Sequence, residues 1–267
     1  MAQTVLSVNL NKVALLRNSR GAELPAPTEA ARVAIAAGCG GITLHPRPDL
    51  RHARPDDVAA LGALCTGVEV NLEGNPYSGA VGAYPGFMAL LLQHRPDQAT
   101  LVPDGDAQLT SDHGWDVRAH AARLRPLIRQ LRELGIRVSL FMDVDSPDIE
   151  AVAELGAQRI EIYTGPYAHA FARGDAQAAL DACARTAERA QAAGLGVNAG
   201  HDLDQRNLGP LLRHVPQIAE VSIGHALINE ALYSGLATTV QRYLAIIEDA
   251  RARDAGASES GGMTSAR

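Results

Sequence analysis

Residues 28–45 read TEAARVAIAAGCGGITLH, and this stretch decides the fold class. Its first ten residues form an alanine-rich segment typical of a helix. That segment ends at Gly38, the residue type that most readily takes the left-handed conformation just after a helix. Residues 41–45 follow as a short aliphatic and β-branched run, the pattern of a buried strand. The stretch therefore predicts one helix-to-strand step of a β/α unit.

The same step recurs along the chain. Helix-like segments rich in Ala, Leu and Arg also end at Gly135, Gly156 and Gly194, and the second of these is predicted to begin at Ser146-Pro147 with a serine cap. The predicted strands are residues 5–9, 41–45, 68–73, 99–103, 137–142, 159–163, 195–199 and 220–224. Strands that alternate with helices pair in parallel through right-handed crossovers. The sequence thus predicts an α/β fold, a (β/α)8 TIM barrel with extra helices.

Domain boundaries follow from the same pattern. Residues 1–253 are predicted to form a single (β/α)8 barrel catalytic domain, with a short extra helix at 226–233 before the last barrel helix at 234–251. Residues 254–267 are rich in Gly, Ser and Ala and predict a disordered C-terminal tail. The Gly- and Pro-rich stretch 74–86 predicts a loop on the active face. An open doubly wound sheet is the alternative, weakened by the lack of G-x-G-x-x-G after the first strand.

Composition excludes several classes of protein. The 267 residues are 46% hydrophobic and 20% charged, with a net charge of -6, which argues against a broad basic surface for nucleic acid. Three separated cysteines without a CxxC indicate neither a disulfide framework nor structural zinc. No apolar run approaches the roughly 18 residues of a membrane span, and no basic leader precedes the first strand, so a cytoplasmic protein is expected. The 4% aromatic content favours an aliphatic barrel interior.

Histidines cluster where the predicted strands end. In a barrel, function lies at the carboxyl ends of the strands. His45, His201 and His225 fall there, together with Glu73 and several arginines. A single histidine at such a place is as often a packing residue as a catalytic one, but this combination favours an active site. The remaining histidines, which lie in helices or loops, are expected on the surface: His94, His113, His120, His169 and His214.

Two segments suit anionic groups. Residues 45–52 read HPRPDLRH, and guanidinium groups capture phosphate or carboxylate in a bidentate manner. The alternative for this segment is a solvated basic loop. Gly224-His225 opens a predicted helix, whose free N–H groups favour phosphate. Asp143 and Asp145 could bind a metal, although helix capping is favoured.

Ten motifs resemble the pyridoxine 5′-phosphate synthase family and run in the family's order over nearly the whole chain. They are VNL at 8–10, LRNSRG at 16–21, GITLHPR at 41–47, DLRH at 49–52, VNLE at 70–73, LVP at 101–103, VSLF at 138–141, IEIYTG at 160–165, VNAGH at 197–201 and IGHA at 223–226. The combination is far more specific than any single short motif.

The resemblance implies a fold, an activity and an assembly. Members of this family are (β/α)8 barrels that assemble as octamers. They condense 1-deoxy-D-xylulose 5-phosphate with 3-amino-2-oxopropyl phosphate to give pyridoxine 5′-phosphate, phosphate and water, a step of vitamin B6 biosynthesis. By resemblance this chain is expected to be a homo-octameric enzyme with small phosphate substrates and with no need for a cofactor, a redox group or a metal. The cytoplasmic location and the expected absence of nucleic-acid and membrane binding rest instead on its composition and on the lack of an apolar span or a basic leader.

The resemblance also assigns residue roles. His45 and Glu73 match proton acceptors, His201 matches a proton donor, and Glu161 matches a carboxylate that stabilises a transition state. The positions that match holders of the aminoketone phosphate are Asn9, Arg20, Gly224 and His225. The positions that match holders of the sugar phosphate are Arg47, His52 and Thr110.

Two substrate-contact positions depart from the family pattern. Asn11-Lys12 replaces an Asp-His pair after the first strand, which changes the hydrogen bonds offered to the sugar phosphate. Asp202 replaces the glycine that usually follows His201, which adds a side chain and a charge. The predicted catalytic residues remain intact.

Two other functions stay open. A metal-dependent barrel isomerase or hydrolase could use Glu73, Asp143, Glu161 and His201. A phosphate-ligand sensor descended from the synthase is supported only by the substitutions at residues 11, 12 and 202.

Overall fold

Eight parallel strands close into a barrel in chain order, with β1 paired to both β2 and β8. The computed structural model describes residues 4–105 and 108–260, with side chains as far as residue 252. The strands are β1 Val5–Asn9, β2 Gly41–Leu44, β3 Glu69–Gly74, β4 Gln98–Leu101, β5 Arg137–Met142, β6 Arg159–Tyr163, β7 Gly196–Gly200 and β8 Ile218–Ile223. This closure confirms the (β/α)8 barrel and rules out the open sheet.

Helices surround the barrel. Those of the described residues are α1 Asn11–Asn18, α2 Pro27–Ala36, α3 Pro55–Leu64, α4 Phe87–His94, α5 Val117–Glu133, α6 Ile149–Leu155, α7 Gly165–Ala172, α8 Gln177–Ala192, α9 Leu208–His214, α10 His225–Ser234 and α11 Leu236–Ser260. The extra helix predicted at 226–233 is α10. Across the described ranges, every helix falls short of the length and apolar character that crossing a bilayer requires.

The predicted boundaries lie close to the observed ones. Strands β1, β5 and β6 have the predicted ends, and the others differ by one or two residues. Gly38, with φ of 103°, follows α2 as expected. The predicted helix start at Ser146-Pro147 is wrong, because α6 begins at Ile149. The carboxylate of Asp148 accepts hydrogen bonds from the backbone and side chain of Arg118, which holds this segment in a turn before the helix.

The last helix differs from the predicted tail. α11 runs to Ser260, past residue 254, where the tail was predicted to begin. Residues 251–255 read RARDA, a run of mostly good helix formers without proline that continues the helix. Residues 261–267 lie outside the described residues.

The inside of the barrel is polar. Gln98 of β4 donates to Glu220 of β8 over 3.5 Å, and Asn198 of β7 donates to Gln98 over 3.3 Å. β4 is not a neighbour of β7 or β8, so these bonds cross the lumen. Aliphatic residues such as Val8 and Ile42 alternate with the polar ones and pack outward against the helices. The prediction of an aliphatic interior is therefore wrong, because the helices cover the outer face of every strand.

Candidate active site

One cavity of about 620 Å³ opens at the carboxyl ends of the strands. It brings together all but one of the residues predicted for the site: Asn9, Asn11, Lys12, His45, Arg47, His52, Glu73, Thr110, Glu161, His201, Asp202, Gly224 and His225. The exception is Arg20, an exposed residue just beyond α1 that does not line this cavity. The structure therefore does not place Arg20 with the other predicted phosphate-binding residues.

His45 and Glu73 face each other from neighbouring strands. Nδ1 of His45 lies 3.9 Å from Oε2 of Glu73. The same carboxylate oxygen accepts a hydrogen bond of 3.3 Å from Nδ2 of Asn9, and its other oxygen accepts one of 3.4 Å from the hydroxyl of Ser222. An imidazole and a carboxyl group, two types of side chain that can take up and release protons, thus lie side by side, and the carboxyl group is oriented by strands β1 and β8.

The surroundings push the pKa values of these groups apart. Burial, with the nearby charges of Arg47, His52 and Arg51, holds the pKa of His45 well below its usual value. Burial, with the negative charge of Asp104, raises the pKa of Glu73 to about 8. At pH 7 the site therefore holds a neutral imidazole beside a largely protonated carboxyl group. Divergent pKa values of this kind are typical of acid–base catalysis.

Glu161 contributes a second buried carboxyl group from β6. Burial, followed by repulsion from Glu73 and Glu220, raises its pKa well above the usual value. Its Oε1 lies against the backbone of Gly200 on the adjacent strand, where an added Cβ would come within 2.2 Å of it. The absence of a side chain at residue 200 therefore makes room for this carboxyl group.

His201 follows β7 and points across the mouth of the cavity. Its Nε2 lies 2.9 Å from the hydroxyl of Thr110, which belongs to the loop after β4. Its ring meets that of Tyr163 edge-on, with centroids 5.2 Å apart. The predicted proton donor is thus held between two strand ends, with one ring nitrogen directed at a hydroxyl group that lines the cavity.

Asn11 and Lys12 have different surroundings. Oδ1 of Asn11 accepts the backbone N–H of His45 over 2.7 Å, so the amide fixes the end of β2. Burial and the charge of Arg51 lower the pKa of Lys12, and Asp202 acts in the opposite direction. Lys12 also helps lower the pKa of His52, which burial chiefly brings to about 3. The charge of Lys12 therefore acts on His52 on one side of the cavity mouth and on Asp202 on the other.

Both terminal nitrogens of Arg47 are already paired, whereas its Nε is buried without a hydrogen-bond partner among the described residues. Its guanidinium is 3% exposed and pairs with Asp104 over 2.9 Å. It also donates to the carbonyl oxygens of Gly105 and Gln108 over 3.3 and 2.7 Å. Arg51 donates to the carbonyl oxygens of Gln108 and Leu109 over 2.7 and 2.6 Å. In this structure the two arginines hold the loop that carries Thr110.

Asn18 supports the basic segment from α1. Its Nδ2 lies 2.9, 3.0 and 2.8 Å from the carbonyl oxygens of Leu50, Arg51 and His52. The preceding residue, Arg17, forms a buried bidentate pair with Asp57 of α3. The LRNSRG motif therefore shapes the segment that carries His52.

The helix start at Gly224-His225 lines the cavity next to the end of β1. A Cβ at Gly224 would lie 3.0 Å from Cβ of Asn9, so glycine lets the helix start approach that side chain. α10 begins at His225, and its first backbone N–H groups face the end of the barrel that the cavity occupies. This arrangement favours an anion.

Several residues of the site escaped sequence reasoning. Ser222 could have been found by strand alternation, since it lies two residues before Gly224. Asp104 follows the predicted fourth strand and is expected on the active face, but nothing in the sequence pairs it with Arg47. His169 is exposed as expected, yet it lines the cavity from α7. The 74–86 stretch does not line the cavity. It packs behind the next loop, where Nδ2 of Asn75 donates to the carbonyl oxygen of Asp104 over 2.8 Å.

Known proteins match this chain in sequence. The family described as "Pyridoxal phosphate biosynthesis protein PdxJ" matches residues 6–249. The chain belongs to the PdxJ family. A protein of Xanthomonas axonopodis pv. citri (strain 306) named Pyridoxine 5'-phosphate synthase is 59% identical over 246 residues, which cover 91% of this chain and 96% of that protein. One of Xylella fastidiosa (strain 9a5c) with the same name is 55% identical over 248 residues, covering 92% and 95%.

Solved structures agree on the fold alone. Tryptophan synthase subunit alpha from Legionella pneumophila str. Paris superposes with a TM-score of 0.59 at 12% identity, covering 92% of this chain and 93% of that one. Phosphoribosyl anthranilate isomerase from Thermus Thermophilus has a TM-score of 0.54 at 13% identity, covering 92% and 99%. Membership of the PdxJ family confirms the predicted resemblance, and with it an enzyme of pyridoxine biosynthesis.

Proposed function

We propose that this enzyme condenses 1-deoxy-D-xylulose 5-phosphate with 3-amino-2-oxopropyl phosphate to form pyridoxine 5′-phosphate, phosphate and water. The observation that carries the proposal is the cavity in which His45, Glu73, Glu161 and His201 converge. The reaction needs several proton transfers, and these four side chains are of the types that perform them. Family membership and the names of the relatives support the same activity.

Charge at the cavity suits two phosphate groups. Lys12, Arg51 and the start of α10 surround its mouth, and all attract anions. Nε of Arg47 has no hydrogen-bond partner in the part of the chain that the structure describes, and its two terminal nitrogens become available to a phosphate if the loop that pairs with them moves. We therefore expect the sugar phosphate to replace Asp104 or the loop carbonyl oxygens as a hydrogen-bond partner of Arg47.

The acid–base roles follow from the surroundings of each group. His45 is neutral because its pKa is low, so it can accept a proton as soon as substrate binds. Glu73 begins protonated, since its pKa is about 8. A cationic iminium formed beside it would lower that pKa and turn the carboxyl group into a base for the imine-to-enamine and ring-closing steps. His201 would protonate the departing oxygen, with Glu161 stabilising the transition state.

The test is to incubate the purified protein with both phosphates and measure pyridoxine 5′-phosphate by absorbance and mass. Glu73→Gln and His201→Ala should each lower kcat by roughly 10²–10⁴-fold, the range that general acid–base catalysis contributes, with much smaller changes in KM. Glu133→Gln, at an exposed position on α5, is the control. Near-wild-type turnover in either active-site variant would show that its role is misassigned.

The other functions make different predictions. Asp143, part of the metal-dependent alternative, does not line the cavity, and the described residues contain no group of three or more His, Cys, Asp or Glu side chains that could hold a metal ion. A metal-dependent enzyme would lose activity with a chelator. A sensor would bind both phosphates without forming product, which would refute the proposed synthase. The octamer and the cytoplasmic location remain predictions, and light scattering of the purified protein measures the first.

A further inference from the structure

Asp202 holds an unusual backbone conformation next to the predicted proton donor. Its φ is 57° and that of His201 is 87°, both in the left-handed region that favours glycine. Such strain persists only where the surroundings enforce it. Here they do, because Thr164 donates its hydroxyl to the carbonyl oxygen of His201 over 2.6 Å, and Asn207 donates its amide to that of Asp202 over 3.0 Å. An aspartate therefore occupies a position at which glycine would adopt the same backbone conformation with less strain.

The strained backbone brings the carboxylate to the imidazole ring. Oδ2 of Asp202 lies 3.1 Å from Nδ1 of His201. That nitrogen is buried and makes no hydrogen bond within the described residues, so the carboxylate of Asp202 acts on it through its charge at close range. On the other side of the ring, Nε2 lies 2.9 Å from the hydroxyl of Thr110. The imidazole ring thus has the carboxylate of Asp202 beside Nδ1 and the hydroxyl of Thr110, which lines the cavity, beside Nε2.

We propose that Asp202 is a positioning residue that keeps a proton on Nδ1 of His201, so that Nε2 is the nitrogen that exchanges protons with the substrate. A carboxylate can only accept, so a ring beside it carries its proton on the facing nitrogen. Nε2 of the neutral ring then accepts the hydroxyl hydrogen of Thr110. The same placement of the ring directs Nε2 towards the hydroxyl of Thr110 on the cavity side.

The other charged groups around this pair are consistent with the role. The imidazole of His201, with contributions from His169 on α7 and His225 on α10, lowers the pKa of Asp202, so the carboxylate is ionised at neutral pH. Lys12 interacts with it from α1. Asp112 and Asp143 face Tyr163, the neighbour of His201. Burial, followed by the charges of Asp202, Asp112 and Asp143, raises the pKa of that tyrosine. Among these groups, the carboxylate of Asp202 is the one that contacts His201 directly.

The catalytic part of this inference rests on the proposed function, whereas the tautomer can be measured without substrate. The experiment uses the full-length protein with ¹⁵N-labelled histidine, and two-bond correlation spectra at alkaline pH report which ring nitrogen carries the proton. His201→Gln identifies the signals of residue 201. We expect Nδ1–H in the wild type and Nε2–H in Asp202→Gly, the substitution that restores the residue usual in the family.

Asp145→Asn is the matched control. Asp145 has a φ of 54°, follows strand β5 and pairs with Arg185 on the surface, outside the cavity. Its substitution removes one charge from a left-handed aspartate without touching His201, and should leave the spectrum and kcat unchanged. Asp202→Gly should lower kcat on the order of 10- to 100-fold, part of what general acid–base catalysis supplies, with a much smaller change in KM.

Each result has one meaning. A wild-type ring with the proton on Nε2, or an Asp202→Gly ring that keeps it on Nδ1, overturns the proposal whatever the rates are. A changed tautomer with unchanged kcat overturns the catalytic role of the pair. If the wild type forms no pyridoxine 5′-phosphate, the proposed function fails, and the spectra still decide whether Asp202 sets the tautomer of His201.

Discussion

Replacing Gly200 with alanine should disable the site while leaving the barrel folded. The new Cβ would lie 2.2 Å from Oε1 of Glu161, whereas ordinary contacts begin at 3.4 Å. The carboxyl group must therefore move by about 1 Å, and the open direction for that movement is into the cavity that Glu161 lines, away from its present position. A displacement of this size at a reacting group costs on the order of 10²-fold in rate. We expect kcat to fall by about that factor.

The assay is the initial rate of pyridoxine 5′-phosphate formation, with thermal unfolding followed by circular dichroism to verify folding. Gly62→Ala on α3 is the control, because a Cβ there meets nothing within 4 Å and alanine favours a helix by up to about 1 kcal/mol. A double-mutant cycle with Glu161→Gln decides the cause. If Gly200→Ala acts through Glu161, the double variant should be no slower than the slower single variant. A Gly200→Ala enzyme that is folded and fully active would refute the reasoning.

Three further predictions concern stability. Glu73 has a raised pKa in the folded protein, so its protonation stabilises the fold, and that contribution is lost as the pH rises through about 8. Between pH 7 and pH 9 the unfolding free energy of the wild type, measured with urea, should therefore fall by about 1 kcal/mol more than that of Glu73→Gln. His52 has a lowered pKa in the folded protein, so below about pH 6.5 a proton binds the unfolded chain first and destabilises the fold. Between pH 7 and pH 5 the unfolding free energy of the wild type should fall by about 2 kcal/mol more than that of His52→Asn. Equal losses in the two proteins would contradict the burial of a neutral ring. Asp57→Ala leaves Arg17 buried without its bidentate partner and should cost about 3–5 kcal/mol of unfolding free energy, whereas Glu29→Ala, from the exposed pair with Arg32, should cost less than about 1 kcal/mol.

Much of the fold could be predicted because its helices, strands and turns are determined by residues that are close together in the chain. The helix that ends at Gly38 and the strand that follows it need only neighbouring residues to be recognised. The start of α6 was misplaced because Arg118, about thirty residues earlier in the chain, holds Asp148 outside the helix. The barrel interior was misjudged for a similar reason. Composition counts aliphatic residues but does not say which face of a strand they occupy.

The sequence by itself determined the barrel, the family and the strand ends that carry the active-site side chains, because periodicity, turn chemistry and motif order are local properties. Only the tertiary structure decided what those side chains do to one another. It pairs Arg47 with Asp104, leaves Arg20 outside the cavity and sets Asp202 against His201. It also raises the pKa of Glu73 by burial and by the charges of Asp104 and Glu220, which lie far from it in the chain. Burial and Coulomb interactions depend on distances between residues far apart in the chain, and folding alone sets those distances.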